Sequence, residues 1–166
     1  FYQLGVLEKK MGNSERAIDY FNKAIKIKPD FHKAWFTLGT SYEVDNNLDS
    51  AIIKYIKAIE LNPGYTKAYG NLGNIYTLQE DYDSAKDILL TAIQIDPTYA
   101  DGHLRLGVVF TQEELFYEAS EQFKKATEYD EKNHDAWFRY ASSLNSIEKF
   151  LEASEAAQKC IDIKVK

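Results

Sequence analysis

Three histidines, one cysteine and a cluster of carboxylates are the side chains of this 166-residue chain best suited to acid–base, nucleophilic or metal chemistry. His32, His103 and His134 each stand singly, with no second His or Cys at metal-ligand spacing, so a turn or helix-start place accounts for them. Cys160 has no cysteine partner and occupies a small position also held by Ala24, Ala58, Ala92 and Ala126. That makes it a packing residue; a redox or labelling role is the alternative. The absence of disulfide pairing fits a reducing compartment. Glu113, Glu114 and Glu118 read as a loop and a solvated helix face rather than an acid–base pair. There is no Walker loop, no G-x-G-x-x-G and no G-x-S-x-G. Gly70 and Gly73 lie one turn apart on a helix and cannot cradle a phosphate. The expectation is a protein that is not an enzyme and needs no cofactor or metal.

The elements that position these residues follow a strict period. Trp35, Leu38, Gly39, Tyr42, Ala51, Tyr55, Ala58 and Pro63 return thirty-four residues later as Tyr69, Leu72, Gly73, Tyr76, Ala85, Leu89, Ala92 and Pro97. Upstream stand Phe1, Leu4, Gly5, Ala17, Phe21, Ala24 and Pro29, with Glu8 where an aromatic is expected. Downstream, His103, Leu106, Gly107, Phe110, Ala119, Phe123 and Ala126 precede Trp137, Tyr140, Ala141, Leu144, Ala153, Ala157 and Cys160, while Glu131 and Val165 replace the turn proline. The repeats run over 1–31, 32–65, 66–99, 100–133 and 134–166. Within each, apolar residues at i, i+3, i+4 and i+7 mark two amphipathic helices. Short polar links such as Asp45-Asn46-Asn47 fold them into antiparallel hairpins. Gly12 and Asn46 suit a left-handed helix-ending turn. Pro29, Pro63 and Pro97 end one hairpin before the next. A fixed repeat of this kind presents an extended binding surface rather than an enclosed pocket.

The pattern W-x2-L-G-x2-Y, then A-x3-F, then P is the tetratricopeptide signature, and the chain resembles that family across essentially its whole length. The resemblance implies an all-α fold, a right-handed α-solenoid of stacked antiparallel helix hairpins. It also implies that Ala58 faces the next hairpin, with Trp35 and Tyr42 filling the space around it. A buried Trp35 replaced by Ala would cost ~3–5 kcal/mol. No apolar run approaches the roughly 20 residues of a membrane span. No signal peptide is visible, and a cytoplasmic or other intracellular location is expected. The chain opens without Met, part-way into a repeat, and lacks a polar terminal cap, which reads as a fragment of a longer solenoid.

In tetratricopeptide arrays the first helices line a groove, and the resemblance maps that wall onto Lys33, Phe36, Thr40, Lys67, Asn71, Asn74, Leu104, Arg105, Val108, Phe138 and Arg139. Tyr2, Gln3, Val6, Lys9, Lys10, Thr37, Glu43, Val44, Gly70, Thr77, Leu78, Asp101, Thr111, Gln112, Asp135, Ser142, Asn145 and Ser146 fall on the same wall. Its lysines and arginines outnumber its acids within a chain of formal net charge −6. A basic and apolar channel suits a protein or peptide partner carrying acidic residues and hydrophobic anchors. Asp101–Arg105 and Asp135–Arg139 are i,i+4 pairs that could simply support their own helices, which leaves Lys33 and Lys67 as the better ligand candidates. Phe36 and Phe138 pack either on a neighbouring repeat or on a ligand. The heat-shock-tail clamp of co-chaperones is matched only at Asn71 and Arg105, and Asp101 opposes it. The asparagine ladder of O-linked glycosyltransferases is matched only at Asn71. The expected function is a non-catalytic interaction scaffold or adaptor, with self-association through the repeat ends. The alternatives are a substrate-recruiting region of a larger multidomain enzyme and an RNA-binding helical repeat. RNA binding is disfavoured because a broad basic face is missing.

Overall fold

The computed structural model describes residues 1–164; Val165 of the repeat pattern lies outside them. Among the described residues there are ten α-helices and no strand. They are α1 (Tyr2–Lys10), α2 (Ser14–Ile27), α3 (His32–Val44), α4 (Leu48–Leu61), α5 (Thr66–Leu78), α6 (Tyr82–Ile95), α7 (Ala100–Gln112), α8 (Phe116–Tyr129), α9 (His134–Ser146) and α10 (Phe150–Lys164). Two compact units divide the chain, residues 1–75 and the residues from Tyr76 onward.

Each hairpin turns the same way because each first helix ends in the same hydrogen-bonded motif. Gly12, Asn46, Glu80, Glu114 and Glu148, thirty-four residues apart, all have positive φ, between 55° and 80°. The N–H of the following residue reaches back five positions, as in Asn47 N to Tyr42 O (2.8 Å) and Leu115 N to Phe110 O (2.8 Å). The positive-φ residue itself bonds a carbonyl one turn back, as in Asn46 N to Glu43 O (3.0 Å). This is the Schellman arrangement, which satisfies carbonyls that a helix end leaves open. Three of the five positions carry glutamate, which gains nothing from a left-handed backbone. Second helices then start from Asn47 and Asp81, whose side chains accept from Ser50 N and Ser84 N, both at 3.2 Å.

At the other end of the hairpin, Lys28, Asn62 and Asp96 precede the prolines with φ of −131°, −145° and −134°. Asp130 adopts −138° before Glu131, so the turn survives without proline. A side-chain bond to the turn carbonyl helps to hold it. Trp35 Nε1 donates to Pro29 O (2.8 Å), Tyr69 Oη to Pro63 O (3.1 Å), and Trp137 Nε1 to Glu131 O (3.0 Å). His103 Nε2 pairs with Pro97 O at 3.0 Å. Because that carbonyl can only accept, Nε2 carries the hydrogen. His103, in the first turn of α7, is the buried stand-in for the repeat's Trp or Tyr, with Gln122 at 2.8 Å from Nδ1.

The core of the first unit gathers Ala17, Phe21, Ala24, Ile25, Ala34 and Leu38, with Trp35 and Tyr42 packed partly buried against it. Trp35 is thus half-buried rather than buried. Its ring lies under Lys54 Nζ at 5.3 Å, so the loss expected on truncation falls below the fully buried figure. In the second unit Ala85, Leu89, Leu106 and Val109 form one cluster, and Leu144, Ala153 and Ala156 another. Glu8, out of place by pattern, is buried and compensated: Arg16 lies 2.9 Å away and Asn13 Nδ2 donates to it at 2.7 Å. Glu113 likewise departs from the solvated reading. It is half-buried and bonds Lys86 Nζ at 2.8 Å, whereas Glu114 and Glu118 are exposed.

Candidate functional site

In the first unit the side chains assigned to the groove meet across neighbouring first helices. Tyr2 Oη on α1 lies 3.3 Å from Thr37 Oγ1 on α3, and Lys9 Nζ donates to Thr40 Oγ1. Thr40 in turn donates to Thr37 O at 2.8 Å. Burial pushes the Lys9 ammonium pKa down, and the Glu43 carboxylate partly offsets this. Glu43 accepts from Tyr55 Oη, and Asn71 Nδ2 donates to that same phenol oxygen at 3.0 Å. Thr40 and Asn71 therefore belong to internal polar links between helices. Asn74 is half-buried on α5.

Phe36 is also engaged internally. Its ring is 5.6 Å from Tyr55 and meets Tyr65 edge-on at 5.1 Å and 88°. Both rings belong to the same repeat as Phe36, which stays half-buried. Lys33 and Lys67 differ from all of these: each is exposed in the first turn of its helix, α3 and α5, and neither has an ion-pair partner among the described residues. Lys33 is felt locally. The neighbouring His32 has its pKa lowered first by burial, then by the positive charges of Lys33 and Lys28.

In the second unit the basic groove residues are neutralised along their own helices. Arg105 Nε donates to Asp101 Oδ2 at 2.7 Å, and Arg139 Nε to Asp135 Oδ2 at 2.9 Å. Tyr99 Oη adds a bond to Asp101 at 2.9 Å. Leu104 and Val108 are half-buried on α7, while Phe138 on α9 is 60% exposed. A cavity of about 130 Å³ brings Thr111, Arg139, Ser142 and Ser146 together with Phe138, against Phe116 and Phe123 of α8. A second, larger cavity opens on the other flank of Phe138, between α9 and α10. Sequence reasoning missed it, although its signal is legible: Ala157 stands where the other repeats carry Phe21, Tyr55, Leu89 and Phe123. Among the described residues no group of three or more His, Cys, Asp or Glu side chains could hold a metal ion. No helix of the described residues is long and apolar enough to cross a membrane.

The hairpin repeat and its caps define a helical-repeat protein. Tetratricopeptide repeat models match residues 1–31 and 66–99, and a second model of the same description matches 32–65; the chain belongs to the tetratricopeptide repeat family. Such repeats are generally non-catalytic scaffolds that bind peptides or proteins. An uncharacterized protein of Methanocaldococcus jannaschii is 44% identical over 36 residues, 22% of this chain and 42% of that protein, so the match covers less than half of that relative. Among solved structures the chain is similar to PilF of Pseudomonas aeruginosa, with a TM-score of 0.88 and 24% identity over 97% of this chain and 73% of that one. It is similar to MamA at a TM-score of 0.80 and 24% identity, covering 96% and 94% of the two chains. YrrB, described as a tetratricopeptide protein with an unusual peptide-binding site, gives 0.71 and 22% over 99% and 85%. At these identities the likeness is one of fold.

Proposed function

We propose that the chain is a non-catalytic adaptor whose first-helix surface in residues 1–75 captures a peptide segment bearing acidic residues and apolar anchors. The observation that carries this reading is the pair Lys33 and Lys67. One repeat apart, they are exposed and, like Lys10, have no ion-pair partner among the described residues, while Lys9, Arg105 and Arg139 are tied to Thr40, Asp101 and Asp135. Holding two ammonium groups on successive first helices, the surface favours a carboxylate-bearing partner and speeds its encounter. The deciding experiment is binding of an acidic, Phe-containing peptide to the wild-type chain and to Lys33→Glu/Lys67→Glu, with helicity followed by circular dichroism. The reading requires weaker binding at unchanged helicity; equal binding would remove it.

Self-association through the repeat ends belongs to the same proposal. Leu4 and Leu7 on α1 are 46% and 53% exposed, whereas Leu38, Leu72, Leu106 and Ser41, Ile75, Val109, at the same repeat positions, are buried. A second copy packing a second-helix face on α1 would cover them. Light-scattering mass that rises with concentration, and falls for Leu4→Glu/Leu7→Glu, is the expected result; a constant monomer mass would contradict it.

A further inference from the structure

Two second helices of the second unit open differently from those before them. In α4 and α6 the residue ahead of the helix is Asn47 or Asp81, whose side chain caps it, and the second helical residue is Asp49 or Asp83. In α8 these two places hold Leu115 and Tyr117, and in α10 Lys149 and Leu151. Leu115 makes no cap bond, so α8 forgoes that stabilisation, and both helices set an apolar side chain where a carboxylate would meet the helix dipole. Neither side chain is buried by the fold: Tyr117 is 64% and Leu151 85% exposed. The exposure belongs to the repeat position, because Glu15, Asp49 and Asp83 are exposed at the same place in the earlier hairpins. A single exposed apolar residue is ordinary, but here two replace carboxylates one repeat apart. The openings of the two helices adjoin. Ser120 and Glu121 of α8 line a cleft of about 280 Å³ together with Lys149 and Glu152, which flank Leu151. Tyr117 stands one turn before Ser120 and Glu121, on their face of α8. Around this edge Glu114, Glu118, Glu148 and Glu152 are exposed, and the cation within residues 113–118 and 147–152 is Lys149, 3.9 Å from Glu152. Lys124 and Lys125 line the cleft farther along α8.

We infer that this edge of the second unit is a docking surface for a basic segment of a partner protein, with lysine or arginine side chains facing Glu114, Glu118, Glu148 and Glu152 and apolar side chains lying on Tyr117 and Leu151. Charge selects the occupant. The carboxylates repel the phosphates of nucleic acid and of anionic lipid, and they repel a second copy docking through the same edge. A long basic side chain also suits Tyr117, since its charged end is drawn to the ring face while its methylene stem covers apolar surface. The chain makes this contact elsewhere: Lys23 Nζ lies 5.4 Å from the centre of the Tyr20 ring and Lys54 Nζ 5.3 Å from that of Trp35. The surface shares no residue with the Lys33–Lys67 pair and goes beyond the peptide-capture reading. An acidic ligand on the first unit and a basic one on the second would give an adaptor two partners of opposite charge.

The test titrates a blocked peptide of alternating lysine and leucine into the isotope-labelled chain, with a lysine–serine peptide of equal charge as its control. Saturable amide shifts within residues 114–118 and 148–152 are expected with the leucine peptide, and an affinity that falls with salt. Tyr117→Asp/Leu151→Asp restores the residue type of Asp49 and Asp83, so it should fold and melt no lower than the parent, yet it leaves the edge more acidic. With apolar contact as the anchor, this variant binds about tenfold or more weakly. Unchanged or tighter binding would reduce the edge to charge attraction and overturn the surface. Equal binding of the serine peptide would overturn it too. Glu118→Gln/Glu152→Gln should weaken binding and flatten its salt dependence; an unchanged salt dependence contradicts a basic occupant. Two further outcomes would assign the edge elsewhere and contradict the proposal: a mass rising with concentration in the parent but not in the Asp variant, which means a second copy, and sedimentation of the parent but not the variant with phosphatidylcholine vesicles, which means a membrane surface. Lys33→Glu/Lys67→Glu should leave binding of the lysine–leucine peptide unchanged, so failure of the acidic-peptide reading and failure of this surface are read separately.

Discussion

Glu114 shows how a single residue can be dictated by the period against its own preference. At φ 59° its backbone sits where Cβ is crowded, and Glu80 and Glu148 share the strain at 61° and 62°. Glu114→Gly should raise stability by about 0.5–1 kcal/mol, measured by denaturant melting, since relief of the left-handed cost exceeds the added freedom of the unfolded chain. Gly12 and Asn46 made this turn legible in the sequence; the three glutamates did not, because their side chains carry no preference for it. His32 offers a second residue-scale check. Its lowered pKa comes first from burial and then from Lys33 and Lys28, so Lys33→Gln should move it upward in an NMR titration. A depressed imidazole pKa means the unfolded chain binds protons more readily. Stability is then full above the ordinary value near 6.5 and falls as pH drops through that value toward the folded one. The bonds that let His103 and Glu8 fill aromatic positions were not legible for a related cause: they depend on partners that become neighbours only once the hairpin closes, Pro97 and Gln122 for one, Arg16 and Asn13 for the other.

Between helices, the pairing of a glycine with a ring sets how closely a hairpin can close. Gly39→Ala would place a methyl 2.7 Å from the buried Tyr55 ring, and the resulting overpacking should cost about 1–3 kcal/mol in the melting free energy. Trp35→Ala should cost less than the ~3–5 kcal/mol of a fully buried tryptophan, because the ring is half-exposed beneath Lys54. It also removes the bond to Pro29 O, so part of its effect should appear as loosening of the 28–31 turn in hydrogen exchange. Helix positions and hairpin pairing were legible because thirty-four-residue spacing of large, small and turn-forming residues repeats across the chain. The polar links from Lys9 to Thr40 and from Glu43 through Tyr55 to Asn71 were not. Periodicity says which face a side chain occupies, whereas these bonds depend on which neighbours on that face have complementary donors and acceptors.

At the scale of the whole molecule, a net charge of −6 hides an uneven distribution. Position two of successive first helices is Lys33, Lys67, Asp101 and Asp135, so at this position the first unit carries lysines without an ion pair among the described residues and the second carries carboxylates paired along their own helices. The candidate groove was legible as a set of repeat positions, but not which of its members would remain available. Thr40, Asn71 and Phe36 make internal contacts, while Lys33 and Lys67 are exposed and have no ion-pair partner among the described residues. Capture by those lysines should weaken with salt, as exposed charge pairs do. The most direct measurement is the dissociation constant of an acidic, Phe-containing peptide for the wild-type chain, for Lys33→Glu/Lys67→Glu and for Lys26→Glu as an exposed control on α2, all at one ionic strength. The account predicts a loss of about tenfold or more, ~1.4 kcal/mol, for the double variant alone, with helicity and melting unchanged. Equal affinity across the three chains would contradict it.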